Sequence, residues 1–114
     1  MLADINPLPE GQNMVYEVVI QSIDPDRRDE YIANYKKAWR ALGLAGYRGG
    51  KILRCTEKPD RVILILEWDS VEAHRQHRGP IMDKFLAECV RPYQTALSDF
   101  DHFTVEDITV EGVD

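Results

Sequence analysis

The chain has 114 residues, 44% of them hydrophobic and 30% charged, a balance that suits one globular domain. Its formal net charge of −6 opposes a phosphate-binding, nucleic-acid role, which needs clustered Lys and Arg; the local pairs Arg27-Arg28 and Lys36-Lys37 are interleaved with acids. No run approaches the ~20 apolar residues of a membrane span, and MLADINPLPEGQN lacks the basic and apolar regions of a signal peptide, so a cytoplasmic protein is expected.

Residues 1–13, with prolines and a glycine, read as an extended arm, free or laid across a partner. MVYEVVIQS, Met14–Ser22, is β-branched and aromatic and predicts a strand. Met14, Tyr16, Val18 and Ile20 fall on one face, and Val15, Glu17, Val19 and Gln21 on the other, so both faces are expected to be covered in part. Asp24-Pro25 signals a helix start, with Asp at the cap and Pro at the first helical position. Tyr31, Ile32, Tyr35, Ala38, Trp39 and Leu42 then make one apolar stripe, and Gly43 and Gly46 end the helix.

Tyr47–Thr56 predicts a second strand, with Gly49-Gly50 marking a bulge or a close backbone approach. Glu57–Asp60 is a turn, and Arg61–Trp68 is the most hydrophobic strand, antiparallel to the second. Ser70 can cap the next helix, which Gly79-Pro80 interrupts. The second helical segment runs from Pro80 to about Val90, and Pro92 stops it. Leu97–Thr109 is expected as the last strand, carrying Phe100, Phe103, Val105 and Ile108, with residues 110–114 frayed.

The order β-α-β-β-α-β predicts an α+β, ferredoxin-like domain over residues 14–109: a four-stranded antiparallel sheet with helices on one face. Strands one and three are apolar on both faces, so a second sheet is expected to cover the open one, as in a homodimeric α/β barrel. Cys55 and Cys89 lack metal-type spacing and read as two reduced, partly buried thiols.

If both helices lie on the same sheet face, Trp68, Tyr35, Trp39 and the helix carrying His74 and His77 can line one space suited to a flat small molecule. His77 is the natural proton acceptor there, and Arg78 can stabilise an oxyanion or enolate. The blander readings stand beside these. The aromatics can be plain core, His74 is expected at the surface, Arg78 can be a solvated charge, and His102 can pack across strands or at an interface. His74, His77 and Glu72 fall short of a metal ligand set, so no metal is expected. No glycine-rich phosphate loop precedes a helix, and Ser22, Ser70 and Ser98 lack a nucleophile elbow.

The run LEWDSVEAHRQHRGP, followed by an amphipathic helix and Pro92, resembles the antibiotic biosynthesis monooxygenase family of dimeric α/β barrels. The shared pattern is Trp68, Asp69-Ser70, Glu72-Ala73 and His77, within a likeness spanning Met14 to Ile108. The resemblance implies a homodimer that uses O2 on an aromatic polyketide, anthrone or quinol without metal, flavin or other cofactor. In that picture Trp68 packs on the ring and His77 is the base or anion partner, while Tyr35, Trp39 and Arg78 are added from the pocket argument above. Haem-degrading relatives carry an Asn on the first strand, which MVYEVVIQS lacks, and a His ligand where this chain reads FLAE. A non-catalytic binding module and a cofactor-less isomerase or cyclase are the alternatives that the same residues leave open.

Overall fold

The computed structural model describes residues 14–106 and 108. The expected N-terminal arm (1–13), Asp107, Thr109 and the expected frayed terminus (110–114) lie outside the described residues.

Strand β1, Val15–Ser22, is the hub of the sheet. It pairs antiparallel with β3, Arg61–Trp68, from Val15 opposite Trp68 to Ser22 opposite Arg61. Its other edge pairs antiparallel with β4, Asp99–Phe103. Strand β2, Tyr47–Arg54, pairs with the far edge of β3, giving the order β2-β3-β1-β4. This is the order of the split β-α-β arrangement expected from the pattern of elements.

The connections follow local chemistry. Asp24 Oδ1 accepts the Asp26 amide and starts a 3-10 turn, Pro25–Arg27, which leads into helix α1, Arg28–Leu42. Gly43, at φ 56°, ends α1 in the left-handed region, with its amide bonded to the Arg40 carbonyl. Ser70 Oγ accepts the Ala73 amide at 3.0 Å and starts the short helix α2, Val71–Arg75. Gly79, at φ 144°, turns the chain before Pro80 opens helix α3, Pro80–Cys89, and a 3-10 turn at Arg91–Tyr93 closes the layer.

The pairing register sorts the sheet into two faces. Val15, Val19, Val62, Leu64, Leu66 and Trp68 lie under the helices and are buried against Tyr31, Ile32, Tyr35, Phe85, Val90 and Tyr93. A bulge between Tyr47 and Gly49 resets β2 against β3. Gly50 then passes so close to β3 that a Cβ would collide with the Ile65 carbonyl oxygen and meet Leu66 Cα at 3.1 Å. On the other face Val18, Ile20, Ile63, Ile65, Leu53 and Phe103 form an apolar patch that no described residue of the chain covers; Ile20, Leu53 and Phe103 are 40–50% exposed.

The last strand is shorter than its sequence suggests. It spans Asp99–Phe103 instead of Leu97–Thr109, and Leu97, Val105 and Ile108 are exposed. At the C-terminal end the reason lies in the partner: Phe103 pairs with Tyr16, and β1 itself begins at Val15, so β4 has no ladder left to extend along in that direction. Strand β2 likewise stops at Arg54, two residues early, where the Cys55 amide bonds the Arg61 carbonyl to begin the turn. Cys55 and Cys89 are free and partly buried, as expected. No described helix is long and apolar enough to cross a membrane.

Candidate functional site

Trp68 ends β3 between Val15 of β1 and Tyr47 of β2, and its indole is completely buried. Its Nε1–H donates to Glu17 Oε1 at 3.0 Å. Glu17 sits two residues beyond Val15, on the same helix-facing side of β1, and lies opposite Leu66 on β3 and His102 on β4. A carboxyl among Val15, Val19 and Leu66 loses water on folding; burial raises its pKa, an effect only partly offset by the Trp68 hydrogen bond.

The Ser70 cap aims α2 across the end of β3. His74 then lies flat on the indole of Trp68, with centroids 4.8 Å apart and planes 20° apart. One ring nitrogen, Nε2, is 3.3 Å from Glu17 Oε1; the other, Nδ1, is 2.8 Å from His102 Nε2. Both imidazoles are pushed toward the neutral form. Burial holds His74 down to about 4, helped by its neighbours His102, Arg78, His77 and Arg75. Burial also lowers His102, with Arg75 adding to it and Asp101 opposing. His74 was expected at the surface; stacking on Trp68 makes it part of the interior instead, with 19% of its side chain exposed.

His77 lies beyond the end of α2 and does different work. Its Nε2 is 2.7 Å from the Ala45 carbonyl, so that nitrogen carries a hydrogen and donates it. The ring is 5.7 Å from Trp68 and ties α2 to the loop between α1 and β2.

Next to Glu17 and His74 a cavity of about 590 Å³ opens between the helices and the sheet. Tyr35, Trp39, Leu64, Leu66, Met82 and Leu86 give it aromatic and aliphatic walls, while Glu17, His74 and Arg78 supply polar groups. Gly79, at the break between α2 and α3, also lines it. Tyr35 and Trp39 stack at 5.4 Å with planes 19° apart, and they separate this cavity from a smaller one, about 410 Å³, on the β2 side. Burial keeps the Tyr35 hydroxyl far from ionising.

The structure therefore brings Tyr35, Trp39 and Arg78 to one cavity, whereas Trp68 and His77 contact each other behind its lining. The sequence points to the helix carrying His74 as a possible wall of the space but favours a surface place for His74 itself, and it gives Glu17 no functional role and His102 only a packing or interface one. The available signal was Glu17 itself, an acid alternating with Val15 and Val19 on one strand face. Among the described residues, no group of three or more His, Cys, Asp or Glu side chains is arranged to hold a metal ion. Glu17, His74 and His102 form a line, with His74 between the other two, and do not converge on a common point.

The family model described as antibiotic biosynthesis monooxygenase matches residues 14–80, which carry β1 through α2 and the Gly79 break. The chain belongs to the antibiotic biosynthesis monooxygenase family. Solved structures of the family share its fold. A candidate antibiotic biosynthesis monooxygenase from Bordetella bronchiseptica superposes with a TM-score of 0.70 at 19% identity, covering 86% of this chain and 100% of that one. A second candidate, from Chloroflexus aurantiacus J-10-fl, gives 0.66 at 23% identity over 87% and 99% of the two chains. SnoaB, a cofactor-independent oxygenase from Streptomyces nogalater, gives 0.65 at 20% identity over 87% and 99%. No curated protein matches the sequence.

Proposed function

We propose that this family member is a cofactor-independent monooxygenase that uses O2 on a flat, electron-rich aromatic compound, an aromatic polyketide, anthrone or quinol, and works as a cytoplasmic homodimer. The observation that carries the reading is the 590 Å³ cavity, walled by aromatic and aliphatic side chains and edged by Glu17, His74 and Arg78. SnoaB, which shares the fold, is itself a cofactor-independent oxygenase.

The chemistry asks little of the protein. Removing a proton from an anthrone leaves a delocalised anion that can pass an electron to O2. A C–O bond then forms and a proton returns to the distal peroxide oxygen; loss of the second hydrogen of that carbon as a proton then breaks the O–O bond, leaving the new carbonyl and a hydroxide that takes up a proton to become water. One oxygen atom ends in the product and one in water. The protein has to hold the ring, accept the proton and tolerate the anion. In this reading Tyr35 and Trp39 receive the ring and Arg78 faces the anion. Trp68 and His77 contribute without lining the cavity: Trp68 supports Glu17 and His74, and His77 ties the end of α2 to Ala45 in the loop between α1 and β2.

Two further features support the reading. The uncovered patch of Val18, Ile20, Ile63, Ile65, Leu53 and Phe103 is what a second sheet would bury in a homodimer. Two unpaired cysteines suit a reducing compartment.

The test is incubation of the purified protein with anthrones and quinols in air, under 18O2 and without oxygen. The expected result is a quinone product carrying one labelled oxygen, formed only when O2 is present. Oxygen-independent turnover would point to an isomerase or cyclase, and the absence of both turnover and ligand binding would defeat the proposal.

A further inference from the structure

Glu17 on β1, His74 on α2 and His102 on β4 come from three separate elements, yet their polar atoms form one unbroken line. Glu17 and His74 line the cavity; His102, half-buried on the edge strand, does not. We propose that the three side chains are a proton wire, in which Glu17 is the proton-exchanging group of the cavity, His74 the link and His102 the terminal that meets solvent. The use made of that proton rests on the oxygenase reading above; the wire itself rests on the geometry.

Two arrangements of hydrogen atoms suit the Trp68–Glu17 and His74–His102 bonds and the 3.3 Å approach of Glu17 to His74. In the first, Glu17 is ionised. Its Oε1 accepts Trp68 Nε1–H and stands 3.3 Å from His74 Nε2–H, within reach of a hydrogen bond on a small rotation of the carboxylate, and His74 Nδ1 accepts His102 Nε2–H. In the second, Glu17 is protonated and donates to His74 Nε2, His74 Nδ1–H donates to His102 Nε2, and His102 carries its hydrogen on Nδ1. The two arrangements differ by one proton. Passing from the second to the first, the Glu17 proton moves to His74 Nε2, the His74 Nδ1 proton moves to His102 Nε2, and the His102 Nδ1 proton leaves to water. Only O–H and N–H bonds change, and each ring stays neutral at both ends of the exchange.

The surroundings favour this traffic. The middle of the line is the worst place for a resting charge: burial and the neighbouring Arg75, His77 and Arg78 all disfavour an imidazolium at His74. Stacking on Trp68 holds the His74 ring with one nitrogen toward each partner. Asp101 favours a proton at the outer end, where His102 must exchange with water. Tyr35 approaches Glu17 from α1 and stays un-ionised, so it neither competes for the proton nor supplies one. A ligand filling the cavity cuts Glu17 off from water on that side, and the wire then remains as its route to solvent.

The test is NMR of the whole protein, following the Glu17 carboxyl carbon and the imidazole nitrogens from about pH 4 to about pH 9. The expected result is that Glu17 titrates with the same midpoint as the shift of the His102 hydrogen between Nδ1 and Nε2. Glu17→Gln should abolish that tautomer shift. Should Glu17→Gln fail to fold, His102→Phe tests the same coupling from the outer end. It should lock His74 in the Nε2–H form throughout, while His102→Gln, whose amide can donate or accept, should restore the switching. A His102 tautomer that ignores Glu17, or a His74 that switches unchanged in His102→Phe, overturns the wire. Anthrone oxidation by a protein without coupled titration leaves the oxygenase reading standing and removes the wire. Coupled titration without any turnover supports the wire and counts against the oxygenase reading alone.

Discussion

The imidazole of His74 lies on the indole of Trp68 with ring centroids 4.8 Å apart, and the same Glu17 carboxylate oxygen stands 3.0 Å from the indole nitrogen and 3.3 Å from the imidazole. A carboxyl, an indole and an imidazole from three elements are thus fixed as one unit beside the cavity. Removing Glu17 leaves the Trp68 indole nitrogen buried without its acceptor, and removing Trp68 takes away the hydrogen-bond donor of the Glu17 carboxyl.

Trp68→Phe tests that directly. Phenylalanine can still fill part of the space but cannot donate to Glu17. The loss should be about 1–3 kcal/mol, the usual cost of a buried acceptor without its donor. The remaining carboxyl should also become harder to ionise, because the Trp68 hydrogen bond is what opposes the upward push of burial. Urea unfolding measures the first effect and carboxyl NMR the second.

Stability should depend on pH through His74. Its folded-state pKa is lowered from 6.5 to about 4. Above about pH 6.5 neither state holds the proton and the folded protein keeps its full stability. Between about 6.5 and 4 the unfolded chain binds a proton that the folded chain refuses, so stability falls as pH falls, by at most about 3 kcal/mol. Glu17, raised by burial, has the opposite sign: its contribution is present below its unfolded value and is lost as pH rises through the folded one. Denaturant midpoints at pH values across this window should show a shallower acid-side loss in His74→Asn than in the wild type.

The cavity can be closed without touching Glu17, His74 or Arg78. Leu86 lines it from α3, and Leu86→Trp should fill much of the space. Binding of a tricyclic anthrone, followed by intrinsic fluorescence, should weaken by roughly tenfold or more, about 1.4 kcal/mol. An unchanged circular-dichroism spectrum would show that the fold survives. Equal affinity in the variant would place the ligand elsewhere.

Assembly should respond to the uncovered sheet face. Ile65 lies centrally there, on β3 opposite Val18 of β1 and Lys51 of β2. Ile65→Asp puts a charge where a second sheet is expected to pack, and sedimentation should show the dimer giving way to monomer at micromolar concentration. A wild-type monomer under the same conditions would argue against the barrel.

Gly50→Ala should be costly despite the small change. The new methyl would meet the Ile65 carbonyl and Leu66 Cα, which are backbone atoms that can yield only by opening the β2–β3 ladder. The expected loss is about 1–3 kcal/mol in thermal or urea unfolding.

Much of this protein was legible from the chain alone. Periodicity and turn chemistry located every strand and α-helix among the described residues, and with them the sheet type. Gly49-Gly50 announced the bulge, Ser70 the cap and Gly79-Pro80 the break between α2 and α3, because each depends on residues close in sequence. The end of β4 was not legible, since it is set by where β1 runs out across the ladder. The site followed the same division. Tyr35, Trp39 and Arg78 could be assigned to one space from helix spacing and layer order. The union of Glu17, His74 and His102 could not, because those residues are far apart in sequence and meet only through the β1–β4 register and the angle at which α2 crosses Trp68. Sequence by itself determined which elements form; only the tertiary structure decided which histidine faces the carboxyl, because α2 turns His74 onto Trp68 and Glu17 while His77 bonds the Ala45 carbonyl.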